Sequence, residues 1–147
     1  MTTALSTAQT NQLAAAKSAA WAAINRLPGR YFEATCRELL TPDSLWVVSH
    51  PVNELVGPQA VANGFYAPLL AALPDLERRT DLFFGGWWDG KICGGEGFWA
   101  TCTGHYLGTF RADLFGIPAN NEPVWLRFGE FYRMVDGRIA EARILLD

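Results

Sequence analysis

Four side chains near the end of the chain have the types that acid–base chemistry needs. They flank the dipeptide Asp136-Gly137, which is typical of a two-residue turn because a type I′ turn needs positive φ angles at both central positions. Residues that face each other across such a hairpin share one side of the sheet. Counting outward from the turn places two acids, a tyrosine and an arginine on the same side. The predicted group is Glu130, Tyr132, Arg143 and Asp147.

Acidic side chains among apolar neighbours allow two interpretations. In the functional one, partial burial raises the pKa of Asp147, the Arg143 cation restrains that rise, and the carboxyl group serves as a general acid and base. In the structural one, Glu130 and Arg143 form a cross-strand ion pair, and Asp147 lies at a frayed strand end. The residue types alone favour the structural interpretation, because a buried charge is costly unless it is paired.

The two histidines are further candidates for acid–base or ligand-binding roles. His105 follows Trp99, Thr101 and Thr103 on one face of a predicted strand. There, an imidazole either has a catalytic or substrate-binding role or is satisfied by neighbouring hydroxyls or backbone groups. His50 lies where a short strand turns into a loop, and a structural role is slightly favoured over one at a cavity mouth. Two histidines far apart in sequence, without a third ligand, do not make a metal site, so we predict no metal.

Large aromatic side chains recur along the chain. Most of them are expected in the core, but a planar polycyclic ligand would suit walls of this kind. They include Trp46, Tyr66, Trp87, Trp88, Phe98 and Trp99. There is no nucleophile elbow, phosphate loop or dinucleotide fingerprint, so no cofactor is expected.

The elements that position these residues follow from periodicity and turn signals. Helical spacing with proline or glycine boundaries predicts helices over 10–27, 31–40 and 58–73. Short β-prone runs predict strands over 46–49, 82–88, 97–110, 124–135 and 138–146, with hairpin turns at Asp89-Gly90 and Asp136-Gly137. Helices followed by a meandering antiparallel sheet make an α+β fold.

The composition limits the class of protein. The 147 residues, half of them hydrophobic, suffice for one core, so we expect one domain over 1–147 with residues 1–10 frayed. A net charge of -3 without a basic run argues against nucleic-acid binding. No apolar stretch reaches the roughly 20 residues of a membrane span, and the N-terminus lacks the pattern of a secretion signal. Cys36, Cys93 and Cys102 have neither disulfide nor zinc spacing, so reduced thiols in the cytoplasm are expected.

Several motifs occur in a specific order and spacing. They are the run 103–110 with its Gly104-His105, the run Phe115-Gly116-Ile117-Pro118, the hairpin 134–141 followed by Asp147, and, upstream, Gly57 with segments 65–70 and 73–76. Together these motifs resemble the SnoaL-like polyketide cyclases of the nuclear transport factor 2-like superfamily. The resemblance implies a cone-shaped (cystatin-like) α+β barrel in which a curved sheet wraps around helices and a pocket opens between them. Family members usually continue past the last strand, so this chain could be one unit of a longer or tandem protein.

The resemblance also implies roles for individual residues. Asp147 aligns with the catalytic aspartate of the family, and His105 aligns with the Gly-His of its motif. A cofactor-free enzyme follows, in which Asp147 moves a proton beside the carbonyl of a small hydrophobic compound while His105 or Tyr132 donates to the enolate oxygen. The expected substrate-binding residues are Glu130, Tyr132, Arg143, His50, Tyr66 and Trp87.

Two alternatives stay open. One is water addition, as in epoxide hydrolases of the same superfamily, for which Glu130, Arg143 and Asp147 could form the activating trio. The other is a non-catalytic ligand-binding or dimerisation module, because a fold does not fix a function. A homodimer is expected in either case, because the second face of the last hairpin would otherwise expose an apolar patch. That patch consists of Trp125, Phe131, Ile144 and Leu146.

Overall fold

Three helical stretches cover one side of the molecule. The computed structural model describes residues 4–147. Helix α1 spans Thr7–Arg26 and helix α2 spans Phe32–Leu39. The third stretch is continuous and consists of α3 (Pro58–Val61), a π-helical segment (Ala62–Tyr66) and α4 (Ala67–Ala72). These stretches match the three predicted helices.

The start of α1 corrects one expectation. Residues 1–3 of the segment predicted to fray lie outside the described residues, but Thr7 to Thr10 are helical. The cause is a capping box, in which the Ser6 hydroxyl accepts from the Gln9 backbone and the Gln9 side chain accepts from the Ser6 backbone. Within residues 4–147, no helix is long and apolar enough to cross a membrane.

Six strands form one open, curved sheet on which the helices pack. They are β1 (Leu40–Val48), β2 (Asn53–Val56), β3 (Glu77–Trp88), β4 (Gly97–Thr109), β5 (Pro123–Val135) and β6 (Arg138–Leu146). Their spatial order is β2-β1-β6-β5-β4-β3. The predicted α+β class is confirmed. The sequence did not predict β2 or the parallel pairing of β1 with β6, because β2 has only four residues and lies in a segment rich in turn formers.

Alternate residues of each strand face the helices, and we call this side the inner face. On β4 the inner residues are Ala100, Cys102, Gly104 and Tyr106, all of which are buried. Ala20, Ala23 and Ile24 of α1 are buried in the same core. The opposite side, which carries the intervening residues, is the outer face.

The turn at Asp136-Gly137 has the predicted positive φ angles of 49° and 76°. Met134 pairs with Ile139 as predicted, but Arg133 pairs with Glu141, so Ala140 is an extra residue. This β-bulge moves the pairing by one position and therefore reverses the faces of the remaining residues of β6. The bulge is favoured because it buries Ala142 and Ile144 in place of charged side chains.

The turn predicted at Asp89-Gly90 is wrong in length. Trp88 pairs with Gly97, so an eight-residue loop, 89–96, joins β3 to β4. The loop folds back on the sheet through two indole donors, because Trp88 Nε1 donates to the Cys93 carbonyl and Trp99 Nε1 donates to the Gly95 carbonyl. These tertiary contacts outweigh the local preference for a tight turn.

Candidate functional site

A buried carboxylate lies at the centre of the inner face. Glu130 of β5 has 0% exposure. Arg78 of β3 donates to it through both terminal nitrogens, at 2.9 Å and 2.7 Å. The hydroxyls of Tyr106 and Tyr132 donate to it at 2.7 Å and 2.8 Å, and the Cys102 thiol donates at 3.3 Å. We call these five residues the Glu130 cluster.

The charges within the Glu130 cluster balance. The Arg78 side chain is only 6% exposed, and burial by itself would lower its pKa. The Glu130 carboxylate outweighs that effect and raises the pKa of Arg78, which is therefore always a cation. Its guanidinium also stacks 4.1 Å above the Phe128 ring. Arg78 and Glu130 thus form a buried ion pair with an aromatic wall.

The two tyrosines of the cluster are neutral donors. Burial, and next the Glu130 charge, raise the pKa values of Tyr106 and Tyr132 well above the ordinary range. Burial likewise raises the pKa of the Cys102 thiol. A carboxylate surrounded by neutral O–H donors and one cation can hold negative charge on an oxygen without water.

Tyr66 is also buried in the core on the helix-facing side of the sheet. It ends the π-helical segment, and its ring lies 5.9 Å from that of Trp46. Trp46 in turn contacts the ring of Tyr132 at 5.9 Å. The structure therefore brings together three of the predicted site residues, Glu130, Tyr132 and Tyr66, on the inner face.

Asp147 lies elsewhere, which corrects the predicted pairing. The bulge at Ala140 turns Asp147 to the outer face, where its side chain is 77% exposed and forms an ion pair with Arg127. Arg143 also faces outward, so the predicted pairing of Glu130 with Arg143 is wrong. The trio Glu130, Arg143 and Asp147 is not assembled, and the geometry gives water addition by that trio no support.

The histidines also lie away from the Glu130 cluster. His105 shares the outer face with Thr101 and Thr103, as the alternation predicted. Its Nδ1 is 3.3 Å from Asp81, and its ring lies 5.9 Å from that of Trp125. His50 is exposed in the turn after β1. Within residues 4–147, no group of three or more His, Cys, Asp or Glu side chains is arranged to hold a metal ion.

A second ionic cluster lies on the outer face around Glu141. Arg143 donates to this carboxylate at 2.6 Å, Arg133 at 3.3 Å and the Gly95 backbone at 2.9 Å. Burial would raise the pKa of Glu141, but these donors outweigh burial and lower it. Two arginines share one acid here, so the cluster carries a net positive charge.

An apolar groove of about 540 Å³ opens on the outer face beside Arg143. Its walls come mostly from strand residues that alternate with the buried ones. They include Val47, Phe84, Trp87, Trp88, Trp99, Thr101, Phe131 and Leu145. Two predicted site residues, Trp87 and Arg143, thus belong to this groove and are separate from the Glu130 cluster.

The apolar patch on which the homodimer expectation depends is partly different from the predicted one. Trp125 and Phe131 are exposed on the outer face, at 67% and 42%. Ile144 is buried and Leu146 packs against the core, because the bulge turns both inward. Leu145, which is 63% exposed, takes their place.

Sequence reasoning missed Arg78, Tyr106 and Cys102. Tyr106 and Cys102 alternate with the threonines and His105 of β4, so the period of two could have assigned them to the opposite face. Arg78 carried no such signal, because an arginine at the start of a strand is usually solvated.

Comparison with known proteins decides the family. Residues 30–147 match the sequence model of the SnoaL-like polyketide cyclases, which is most of the chain. The chain belongs to this family. No curated protein matches the sequence of this SnoaL-like protein.

Solved structures agree with the SnoaL-like fold. A candidate SnoaL-like polyketide cyclase from Jannaschia sp. CCS1 superposes with a TM-score of 0.68 at 18% identity, over 88% of this chain and 86% of that one. IdmH, a candidate polyketide cyclase from Streptomyces antibioticus, superposes with a TM-score of 0.68 at 17% identity, over 89% of this chain and 91% of that one. AclR, a candidate hydroxylase from Streptomyces galilaeus, superposes with a TM-score of 0.59 at 19% identity, over 97% of this chain and 91% of that one. At these identities the solved structures support the fold alone, and a fold does not fix a function.

Proposed function

We propose that this SnoaL-like protein is a cofactor-free acid–base enzyme of the cyclase type, in which Glu130 moves the proton. The observation that carries this proposal is the buried carboxylate of Glu130 with its cation and neutral donors on the helix-facing side of the sheet. Asp147 is a poor candidate for the same role, because it is exposed and paired with Arg127.

The proposed reaction begins at the carbon next to a carbonyl of a small hydrophobic compound. Glu130 accepts the proton from that carbon, and the electron pair of the C–H bond moves toward the carbonyl oxygen. Tyr106 and Tyr132 donate to Glu130 before the step; they keep their hydroxyl protons and redirect these hydrogen bonds to the developing charge as the carboxyl group becomes neutral. The resulting enolate can close a ring, isomerise or lose a leaving group. No cofactor takes part, because this step needs only a base and hydrogen-bond donors.

Side chains cover the Glu130 cluster, so a substrate has to displace some of them. We expect entry between α1 and β3. Trp21 of α1 contacts Phe83 of β3 edge-on at 5.1 Å, and the Trp21 side chain is 46% exposed. Such a contact costs little to open, because much of the Trp21 ring is already in water.

Deuterium uptake by a simple ketone tests the proposal. In D₂O, the protein should speed the exchange of the α-protons of 2-tetralone, as followed by NMR. Glu130→Gln should lower this rate by about 100-fold or more, which is the usual effect of losing a general base. Asp147→Asn is the matched control and should exchange at the wild-type rate.

A reversed pattern, with Asp147→Asn inactive and a folded Glu130→Gln active, would assign the base to Asp147 instead. Because Glu130→Gln leaves Arg78 without its counter-charge, its folding is checked by circular dichroism. Tyr132→Phe provides a milder variant, which should lower exchange about tenfold by removing one donor.

The outer groove supports a second candidate function. Its apolar walls and partly exposed arginine suit a non-catalytic ligand-binding or dimerisation module. In that case the Glu130 cluster only stabilises the fold, and neither Glu130→Gln nor the wild type accelerates exchange above the buffer rate.

A further inference from the structure

Two polar atoms on the inner side of β3 have no hydrogen-bond partner among the residues that the structure describes. They are Nε of Arg78 and Oγ1 of Thr80, and both atoms are buried. The two residues are on the inner side of β3, where Arg78 pairs with Tyr106 and Thr80 pairs with Gly104. A third such atom, Oγ1 of Thr41, belongs to β1. Buried polar groups nearly always have a partner. Two open ones on the strand that supplies the cation of Glu130 therefore indicate an acceptor that is yet to bind.

The strand is irregular at this place. The pairing shifts between Thr80 and Leu82, so Asp81 is an extra residue and forms a bulge. Opposite Thr80, a Cβ atom on Gly104 would lie 1.9 Å from the Arg79 carbonyl oxygen. It would also lie 2.8 Å from Cζ of Phe128, so position 104 has no room for a side chain and the Phe128 ring packs against Gly104. Bulges often re-aim side chains next to active sites, and here the bulge follows directly after Thr80.

We propose that Arg78 Nε–H and the Thr80 hydroxyl bind the carbonyl oxygen of the substrate as it becomes an enolate oxygen. This inference rests on the proposed function, since it supplies the oxygen-binding half of the same reaction. The terminal nitrogens of Arg78 are committed to Glu130, Tyr106 and Cys102. The Nε–H is thus the donor that Arg78 has left for a ligand.

The charges of the step balance with these residues alone. Before the step, Glu130 carries the negative charge and Arg78 neutralises it. When Glu130 takes the proton, its carboxyl becomes neutral, and the electron pair of the broken C–H bond places the charge on the substrate oxygen. Arg78 donates to Glu130 through its terminal nitrogens and, in this proposal, to the substrate oxygen through Nε. The same cation therefore stabilises the charge before and after its transfer.

The ligand class follows from the donors. Both groups lie on the inner side of β3, two residues apart. A ligand that binds both and reacts with Glu130 has to present an acceptor oxygen next to a carbon acid. Enolisable planar ketones meet this requirement, and a planar phenol imitates their enolate. The apolar neighbours Phe128 and Phe83 on the inner face favour a ring system over a charged or flexible chain.

Binding of 2-naphthol, the aromatic counterpart of the 2-tetralone enolate, tests the inference. The wild-type protein should bind it, and Thr80→Val should weaken binding by about tenfold, as expected when a hydrogen bond to a charged or polarised oxygen is lost. Thr80→Val keeps the shape of the side chain and removes an unpartnered hydroxyl, so its thermal stability should stay equal or rise. Phe131→Ser is the control, because it disrupts the outer groove and leaves the inner face intact.

Absorbance of bound naphthol provides the second measurement. In Glu130→Gln, which imitates the protonated carboxyl, Arg78 loses its counter-charge and should favour the naphtholate anion, whose spectrum differs from that of the neutral form. The inference is overturned if 2-naphthol does not bind the wild type, if Thr80→Val binds it as tightly, or if Phe131→Ser alone weakens binding. If Glu130→Gln instead exchanges the α-protons of 2-tetralone at the wild-type rate while the naphthol results hold, the proposed function is overturned and this oxygen site stands.

Discussion

Two acids on neighbouring strands, Glu130 and Glu141, are buried on opposite faces of the sheet. On the inner face, Glu130 has one cation, Arg78, and its other partners are neutral donors. On the outer face, Glu141 has two arginines and a backbone N–H, and Arg143 is 35% exposed. The inner carboxylate depends on a single counter-charge in an apolar setting, whereas the outer one has a spare cation and water nearby. We therefore expect the protein to tolerate the loss of an arginine from the outer cluster much better than the loss of Arg78 from the inner one.

The largest effect should follow from removing the inner cation. Arg78→Met leaves Glu130 as an uncompensated buried charge, so the free energy of unfolding should fall by about 3–5 kcal/mol. Arg143→Met is the matched change on the outer face and should cost about 1 kcal/mol or less, because Arg133 and the Gly95 N–H remain on Glu141. Urea unfolding at pH 7 measures both values.

A double variant sharpens this contrast. Arg78→Met combined with Glu130→Met removes both charges and should recover most of the lost stability, because apolar side chains can replace a buried ion pair. Equal losses for Arg78→Met and Arg143→Met would show that the two faces do not differ as described.

A smaller, pH-dependent effect is expected on the outer face. The pKa of Glu141 is lowered in the fold, because its donors outweigh burial. The stability that the ionised Glu141 contributes is therefore fully present at pH values above the ordinary carboxyl pKa of 4.5. It is lost as the pH falls through the lower pKa of the folded state. Glu141→Gln should destabilise the protein by about 2 kcal/mol at pH 7, and the difference from wild type should shrink below pH 4.5. Thermal unfolding from pH 3 to pH 8 measures it, and a constant difference would contradict the shift.

The smallest effect on stability concerns the exposed apolar residues of the outer face. We expect a homodimer through this face, and Leu145→Lys should separate it into monomers while changing the unfolding free energy of the monomer by less than about 0.5 kcal/mol. Ile117→Lys is the matched control, since Ile117 is similarly exposed but lies in the loop after β4. Sedimentation equilibrium gives the result. A wild-type protein that is monomeric at micromolar concentration would rule out the dimer.

Much of the fold was predictable because its signals are local. Proline and glycine boundaries located the helices, and the period of two located β4, β5 and β6. The turn at Asp136-Gly137 was found for the same reason, since two residues suffice to specify it. The short strand β2 was missed because pairing with β1, more than its own composition, makes it a strand.

The site was harder to predict because it depends on where pairing slips. Glu130, Tyr132 and Tyr66 were among the predicted site residues, and the structure places them together on the inner face. Asp147 was placed with them only by assuming a regular register, and the extra residue at Ala140 has no signature in composition. Arg78 comes from a strand two positions away in the sheet, so its pairing with Glu130 is a property of the fold.

The bulge at Ala140 also limits how this hairpin can change in evolution. Deleting Ala140 would remove the bulge and still leave Glu141 opposite Arg133, so Ala142 and Ile144 would stay in the core. If Ala140 instead paired regularly with Arg133, Glu141 and Arg143 would turn to the core and Ala142 and Ile144 to solvent. A one-residue deletion within 142–145 would reverse the faces of the residues that follow it, so among relatives with this core we expect a one-residue gap at Ala140 and not further along β6. Alignments of such relatives need a gap placed at this position before the residue that corresponds to Asp147 is compared across the family.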